Sequence, residues 1–392
     1  TRYSVETQVL ALLAGENGVG ELFLDSTPFY AESGGQVGDT GTIVTETGRF
    51  DVVDTQSVAG GLTAHRGTLS GELLPGQMAI ATIDPERREA TRRNHTATHL
   101  LHAGLRMVLG DHVRQQGSYV GPDRLRFDFS HASGVRSEET REILSLVNTD
   151  VVANEEVETV QTTKVEAETM GAIAFFGDKY GDRVRVVRAG THSLEFCGGT
   201  HVQRLGDIGQ IQIVSEASIG SNTRRIEAVS GLGAHRRSQE MEGTLGAVAT
   251  LLKTSADDVV PALERLFERQ RDVEREVASL RQAQLSQFAE ELHAANDAPV
   301  LVARVDGYGG DQLRTLAQDL QGRGRRAVVL VGASGDKVAL AVASDESLDA
   351  TATVKKLAAY VSGGGGGSAR IALAGGRDPS GIDALLRAAA EL

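Results

Sequence analysis

Two short motifs, His95-Thr-Ala-Thr-His99 and Cys197-Gly-Gly-Thr-His201, hold the only cysteine of the chain and three of its ten histidines. Two histidines four apart lie on one face of a helix, so both imidazoles can reach one ion. The glycines of the second motif let its backbone turn tightly enough to aim a thiolate and an imidazole at one point. Three imidazoles and one thiolate suit tetrahedral zinc better than other common divalent ions. Taken singly, each pair is equally compatible with an ordinary helix or turn. Their context favours metal: His95 follows Arg92-Arg93-Asn94 and leads into Leu100-Leu101-His102-Ala103-Gly104-Leu105, which continues a helix. A zinc peptidase does not fit, because that chemistry needs a Glu directly after the first His as general base, and Thr96 stands there.

The elements that must carry these residues are legible around them. Residues 1–83 alternate short apolar runs with glycine-rich turns, as in Glu21-Leu-Phe-Leu-Asp25 and Ala79-Ile-Ala-Thr-Ile83, which predicts a small β-barrel-like module. Asp84 and Pro85 then supply a cap and a first turn for a helix running through His95 and His99 toward Leu109. Residues 84–232 mix helices with antiparallel-looking strands, an α+β pattern expected to house the zinc. Residues 233–298 read as an antiparallel helical hairpin with its turn near Ser255 to Val260. Its seam runs through Leu266, Gln270, Val273, Val277 and Leu280, and resumes after a one-residue shift at Leu285, Phe288 and Leu292. Residues 299–392 alternate strands and helices as an α/β domain. The whole is a multidomain α+β chain. Between a helix and a strand of the last domain lie Gly363, Gly364, Gly365, Gly366 and Gly367, expected as an ordered, exposed turn whose bare N–H groups can approach a phosphate or ribose.

Composition sets the outer limits. The 392 residues suggest two to four units, and one cysteine excludes an internal disulfide framework and fits a reducing cytoplasm. No run approaches the ~18 apolar residues of a membrane span, and the N-terminus lacks a signal-peptide layout. Thr1 is not an initiator methionine, so an excised or processed piece is expected. Aromatics at 4% and the absence of Trp argue against a stacking platform for unpaired bases. The net charge of −13 opposes nucleic-acid binding as a whole. From Val300 onward, however, 11 basic residues face 10 acidic ones, and Arg323, Arg325, Arg326, Lys355 and Lys356 form local basic clusters. Local patches of this kind can hold an RNA that whole-chain charge would repel.

Asn94-His-Thr-Ala-Thr-His99 and Phe196-Cys-Gly-Gly-Thr-His201 resemble the zinc motifs of the editing domain of alanyl-tRNA synthetases and of their free-standing trans-editing relatives. Further matching stretches are Phe29-Tyr-Ala-Glu-Ser-Gly-Gly-Gln-Val-Gly-Asp39, Arg124-Leu-Arg-Phe-Asp-Phe-Ser-His131, Ala174-Phe-Phe-Gly-Asp-Lys-Tyr180, Gly206-Asp-Ile-Gly209 and Arg224-Arg-Ile-Glu-Ala-Val-Ser-Gly231. The resemblance covers essentially the whole chain and is that of the C-terminal half of the synthetase, with no match to its aminoacylation module. It implies hydrolysis of mischarged seryl- or glycyl-tRNA(Ala) at a zinc site formed by His95, His99, Cys197 and His201. ATP would serve only the missing aminoacylation module.

By the same resemblance Gln115 is the active-site glutamine, and Thr27, Gly35 and Gln36 line the substrate pocket, with the Thr27 hydroxyl available to a serine side chain. Arg225 and Asp207 fall near the tRNA end or support it. The glycine run, with Arg325, Arg326, Lys355 and Lys356 nearby, would bind tRNA(Ala). The expected compartment is the cytoplasm, with no membrane or DNA partner, and dimerisation would run through the helical hairpin or the C-terminal domain. A non-catalytic tRNA-binding module with a structural zinc is the alternative, and an RNA-binding interaction module built around the hairpin and the C-terminal domain, with a relic editing fold, is a further one.

Overall fold

A computed structural model describes residues 3–15, 19–174 and 181–392, so most of the motif that begins at Ala174 lies outside the described residues. The chain divides into two compact units, Thr1–Ala247 and Val248–Leu392.

The first unit opens with strands β1 (Ser4–Ala14), β2 (Val19–Leu24), β3 (Gly41–Val44), β4 (Gly48–Val58), β5 (Leu62–Gly71) and β6 (Met78–Ile83). They close a barrel in the order β1-β2-β5-β4-β3-β6. Period-two alternation turns Leu22 and Leu24 of β2, and Ala79, Ala81 and Ile83 of β6, toward Phe50 and Ile43 inside. Helix α1 (Pro85–Leu109) follows at once, with the Asp84 carboxylate accepting the Arg87 N–H at 3.0 Å. Strands β7 (Gln115–Val120) and β8 (Leu125–Ser130), helix α2 (Ser137–Ala153), strand β9 (Val157–Thr163), helix α3 (Lys164–Thr169) and strands β10 (Arg183–Ala189), β11 (Ser193–Phe196), β12 (Ile211–Gly220) and β13 (Thr223–Ser230) complete the unit. They form one antiparallel sheet ordered β12-β13-β8-β7 and another ordered β11-β10-β9. Leu100, Leu101 and Leu105 of α1 pack against Phe127, Phe129, Ile143, Val147 and Ile226.

A helix buried on all sides is normally apolar. The middle of α1 instead buries Asn94, His95, Thr96, Thr98, His99 and His102. Buried polar groups require partners, and meeting that requirement organises the unit. Asn94 donates to the Gly121 carbonyl (2.7 Å) and accepts from the Ser230 hydroxyl (2.7 Å), tying α1 to the β12-β13-β8-β7 sheet. Arg88 pairs with buried Asp39, and Asp39 also accepts the Tyr30 N–H at 2.6 Å. The long β2–β3 loop is thereby pinned to the start of the helix.

Helix α4 (Leu232–Leu252) crosses the boundary between the units, and a turn with Lys253 at φ 55° leads to the 36-residue α5 (Val259–Ala294). The second unit continues with β14 (Val300–Arg304), α6 (Gly310–Gly322), β15 (Ala327–Ser334), β16 (Lys337–Ser344), α7 (Ala350–Ala358), β17 (Gly364–Gly367), β18 (Ile371–Gly376) and α8 (Ile382–Ala389). Its sheet runs β14-β15-β16-β18-β17, with only the β14–β15 pair parallel. Leu285 and Ala289, near the C-terminal end of α5, are buried, and Ala289 joins Leu301, Leu313 and Leu316 in one apolar cluster.

Two expectations about this unit are corrected. The glycine run is not a turn: Gly364–Gly367 is an exposed edge strand in register with β18, from Gly364 opposite Gly375 to Gly367 opposite Ala372. The bare backbone permits the approach, since a Cβ on Gly365 would stand 2.0 Å from the Leu373 carbonyl oxygen. Arg325 is not free for phosphate. It is buried, and its guanidinium donates to the carbonyls of Ala298, at 2.5 Å, and of His293 and Asn296. Arg326 donates to the Leu392 carbonyl, whereas Lys355 and Lys356 are exposed on α7.

Candidate metal centre and adjoining cavity

The four residues separated by about a hundred positions in sequence converge. One ligand atom from each of His95, His99, Cys197 and His201 lies within 4.8 Å of the others. Cys197 Sγ stands 3.3 Å from His95 Nε2 and 3.2 Å from His201 Nε2. Tetrahedral zinc with bonds of about 2.0–2.3 Å sets neighbouring ligand atoms roughly 3.3–3.8 Å apart, so these edges are of zinc size.

The opposite face of each imidazole is occupied. His95 Nδ1 lies 2.7 Å from Gln36 Oε1, His99 Nδ1 meets the Glu195 carboxylate, and His201 Nδ1 lies 3.2 Å from Thr96 Oγ1. Each ring therefore keeps Nε2 for the centre, and His99 Nε2 is a buried atom with no hydrogen-bond partner. This is the outer shell expected of metal-bound histidines, in which the remote nitrogen is held so that the near one can ligate. The residues present fit a zinc ion.

Each ligand has a local cause. His95 and His99 are one helical turn apart on α1. Cys197 follows β11 directly, and Glu195 sits two residues earlier on that strand, on the same face by alternation. Arg185 on β10 donates from one nitrogen to the carbonyls of Cys197 and Gly199, both at 2.7 Å, and holds the turn in shape. Gly199 is obligatory there, because a Cβ would lie 2.0 Å from His95 Cε1.

Charge reinforces the geometry. Burial alone would raise the Cys197 thiol, but His95, His201 and His99 hold it well below the ordinary thiol range. Burial would lower His99, yet the Glu195 carboxylate and the Cys197 thiolate outweigh it and raise that ring. Burial lowers His201, keeping it neutral as a ligand must be. Glu195 is only 2% exposed and also accepts from His102 Nδ1 at 2.7 Å; burial would raise it, but the two imidazoles hold it below the usual carboxylate range.

A cavity of about 650 Å³ opens beside the centre. His95, His99, Cys197 and Gly199 lie at the metal end, Gln115 and Ser118 of β7 form one wall, and Gly34 and Gly35 with Tyr30 form another. The latter wall is the β2–β3 loop docked on β7, where Val120 N donates to Gly35 O (2.7 Å) and Val37 N to Val120 O (3.1 Å). Gly35 holds φ +84°, and its missing Cβ would collide with Ser118 Oγ at 2.5 Å. Gln115 Nε2 donates to Ser118 Oγ at 3.2 Å.

The cavity thus brings Gln115 and Gly35 together with three of the four ligand residues, His95, His99 and Cys197, whereas His201 does not line it. Gln36 is fully buried, supports His95 and is bonded to Thr200. Thr27 does not line the cavity; its hydroxyl lies 2.7 Å from His65 Nε2 and accepts the Phe29 N–H at 3.1 Å. Arg225 forms a two-pronged pair with Asp128 at 2.7 and 2.8 Å, and Asp207 caps the Arg204 N–H at 3.1 Å, so both support the fold locally. Glu195, His102, Thr96, Tyr30 and Arg185 are the site residues that motif reading missed.

Three family descriptions match parts of the chain: "tRNA synthetases class II (A)" over residues 4–87, "Threonyl and Alanyl tRNA synthetase second additional domain" over 184–227, and "DHHA1 domain" over 297–392. The first qualifies the expectation that nothing here matches an aminoacylation module, since a class II description reaches the barrel. Among curated proteins, the alanine–tRNA ligase of Halorhodospira halophila is 45% identical over 391 residues, covering 97% of this chain and 45% of its own length. That of Chlorobaculum tepidum is 43% identical, covering 96% of this chain and 45% of its own. Among solved structures, the C-Ala domain of Aquifex aeolicus alanyl-tRNA synthetase is 24% identical, with TM-score 0.23, covering 24% of this chain and 87% of that one. The chain spans less than half the length of the curated relatives it matches, and over nearly all of its own length it is homologous to the alanine–tRNA ligases.

Proposed function

We propose that the chain is the editing and tRNA-binding part, the C-terminal half, of an alanine–tRNA ligase. In this reading it hydrolyses the ester of seryl- or glycyl-tRNA(Ala), with zinc as the ion, tRNA(Ala) as partner and the cytoplasm as compartment. The observation that carries the reading is the meeting of the four-ligand centre with a cavity lined by Gln115, Ser118 and the Gly34–Gly35 backbone. Physical chemistry explains the need for a second site. A pocket built for alanine rejects glycine by one methyl, about 1–3 kcal/mol, and excludes an added hydroxyl poorly.

His95, His99, Cys197 and His201 would hold the zinc, which supplies a fixed Lewis-acidic charge at the cavity's inner end. The Gln115 amide can accept from a water and donate to the ester, orienting one toward the other. Hydrolysis then leaves free amino acid and a tRNA with its terminal hydroxyl restored. Arg185 keeps the Cys197–Gly199 turn in place, and the Gly35 backbone sets the width of the cavity.

A structural zinc is the competing reading, favoured by a donor set that supplies all four positions of a closed tetrahedral site. The test is to incubate the zinc-loaded chain with seryl-tRNA(Ala) and alanyl-tRNA(Ala), followed by Gln115→Ala with its zinc content measured. Selective release of serine that falls in Gln115→Ala at full zinc occupancy supports editing. No hydrolysis by the parent chain above the spontaneous rate supports the binding module.

A further inference from the structure

A second cavity, of about 350 Å³, lies on the His201 side of the Cys197–His201 turn. Arg88 and Arg92 of α1, Arg185 of β10 and Thr159 of β9 line it together with the Gly199–Gln203 segment. Its walls thus hold three guanidinium groups and, among the described residues, no carboxylate. The acids that answer two of these cations stand back from it: Arg88 pairs with buried Asp39 and Arg92 with Glu89, and neither acid lines the cavity. The acids at the start of β9 are taken as well, Glu156 by Arg204 at 3.1 Å and Glu158 by Arg188 at 3.6 Å. Arg185 has only neutral partners among the described residues. One of its nitrogens donates to the carbonyls of Cys197 and Gly199, and another reaches Thr159 Oγ1 at 3.3 Å. Arg92 is 6% exposed, and its buried Nε has no hydrogen-bond partner. A buried donor without an acceptor is costly, and a concave surface lined by cations attracts an anion.

We propose that this second cavity binds a phosphate group, at a site separate from the metal cavity but sharing Arg185 and Gly199 with it. The donor chemistry selects the ligand. A guanidinium presents a planar fork of N–H groups that matches the oxygens of a phosphate. Here such groups come from a helix and a strand, with the Thr159 hydroxyl and the Gln203 amide alongside. A tetrahedral anion offers oxygens toward several walls at once, whereas one fork already engages both oxygens of a planar carboxylate. The volume falls at the lower end of small-molecule pockets, so it admits either a free phosphate ion or one phosphate of a nucleotide chain. Arg185 gives the site its net positive charge, because the other two cations are matched by Asp39 and Glu89. The same side chain holds the carbonyls of the metal-binding turn, so anion and metal sites rest on one guanidinium. The phosphate site stands on these contacts alone and does not depend on the chain deacylating tRNA.

The test uses the full zinc-loaded chain at constant ionic strength. Inorganic phosphate is titrated by calorimetry and phosphorus NMR, and a fluorescent hairpin carrying the uncharged acceptor end of tRNA(Ala) is followed by anisotropy. Phosphate is expected to saturate with a dissociation constant below about 1 mM. Arg92→Met keeps the apolar stem and leaves Glu89 outside the cavity. It should weaken phosphate about tenfold or more, the loss of one charge-assisted bond. Thr159→Val, nearly the same shape without the hydroxyl, should weaken it about two- to tenfold, and it carries the test if Arg92→Met loses its fold. Zinc content and circular dichroism verify each variant. If phosphate displaces the hairpin, the site takes a phosphate of the nucleic acid; if it binds without displacing the hairpin, the site takes the free ion. Saturable phosphate binding that the folded variants do not weaken places the anion elsewhere and overturns the proposal. Absence of saturable binding by the folded parent chain up to about 10 mM phosphate overturns it too.

Discussion

Glu195 offers the sharpest test of how the metal centre is built. Its carboxylate accepts Nδ1–H from both His99 and His102 in a place only 2% exposed to solvent. In Glu195→Gln the amide retains one acceptor oxygen but turns a donor toward the other ring. If that donor faces His99, Nδ1 must accept, the ring proton moves to Nε2, and the atom aimed at the ion is lost. If it faces His102, His99 keeps its tautomer but loses a charge-assisted bond of about 1.5–3 kcal/mol for a neutral one of about 0.5–1.5 kcal/mol. Outer-shell losses at such sites weaken metal binding by roughly 10–100-fold, or about 1.4–2.7 kcal/mol, which matches that difference. Glu195→Ala should cost more, because two buried imidazole N–H groups then lack an acceptor. The assay is zinc affinity by competition with a chromophoric chelator, with circular dichroism to verify the fold. A folded Glu195→Gln chain that binds zinc as tightly as its parent would refute the outer-shell argument.

Gly364→Val with Gly366→Val should leave the second unit folded, because their Cβ positions meet nothing, while lowering tRNA(Ala) affinity in a filter-binding titration; Gly365→Val should instead disrupt the strand and lower the melting temperature. His65, fully buried between the Leu22 carbonyl and Thr27, has its pKa lowered by burial. Its contribution to stability is therefore complete above its ordinary value near 6.5 and erodes as pH falls below it, since the unfolded chain takes up the proton first. With zinc saturating, His65→Gln should show a smaller drop in melting temperature between pH 7.5 and 5.5 than the parent chain. Asp39→Ala leaves Arg88 buried without its partner and frees the Tyr30 N–H, so urea unfolding should show a loss of about 3–5 kcal/mol.

What could be read from the sequence, and what could not, follows from where each requirement is encoded. A metal ligand must be one of a few residue types, and two ligands on one helix must be three or four apart, so His95, His99, Cys197 and His201 announce themselves locally. Helix α1 was legible for the same reason, from its cap at Asp84 to its end at Leu109. An outer-shell acceptor can be any polar residue from anywhere. Gln36 reaches His95 across 59 residues and Glu195 reaches His99 across 96, distances that only the closed topology spans. Some signal was present nonetheless. His102 continues the α1 face of His95 and His99 at the next turn, and Glu195 shares the face of its strand with the direction of Cys197. The glycine run shows the opposite case. Five glycines have no side chain to alternate, so no periodicity could mark a strand, and only pairing with β18 makes it one. The same run is spelled for close approach: glycine at 365 is required by the neighbouring carbonyl, whereas Gly364 and Gly366 face open space. Glycine at those two positions is not required by packing, and the bare edge strand leaves its backbone open to close approach from outside.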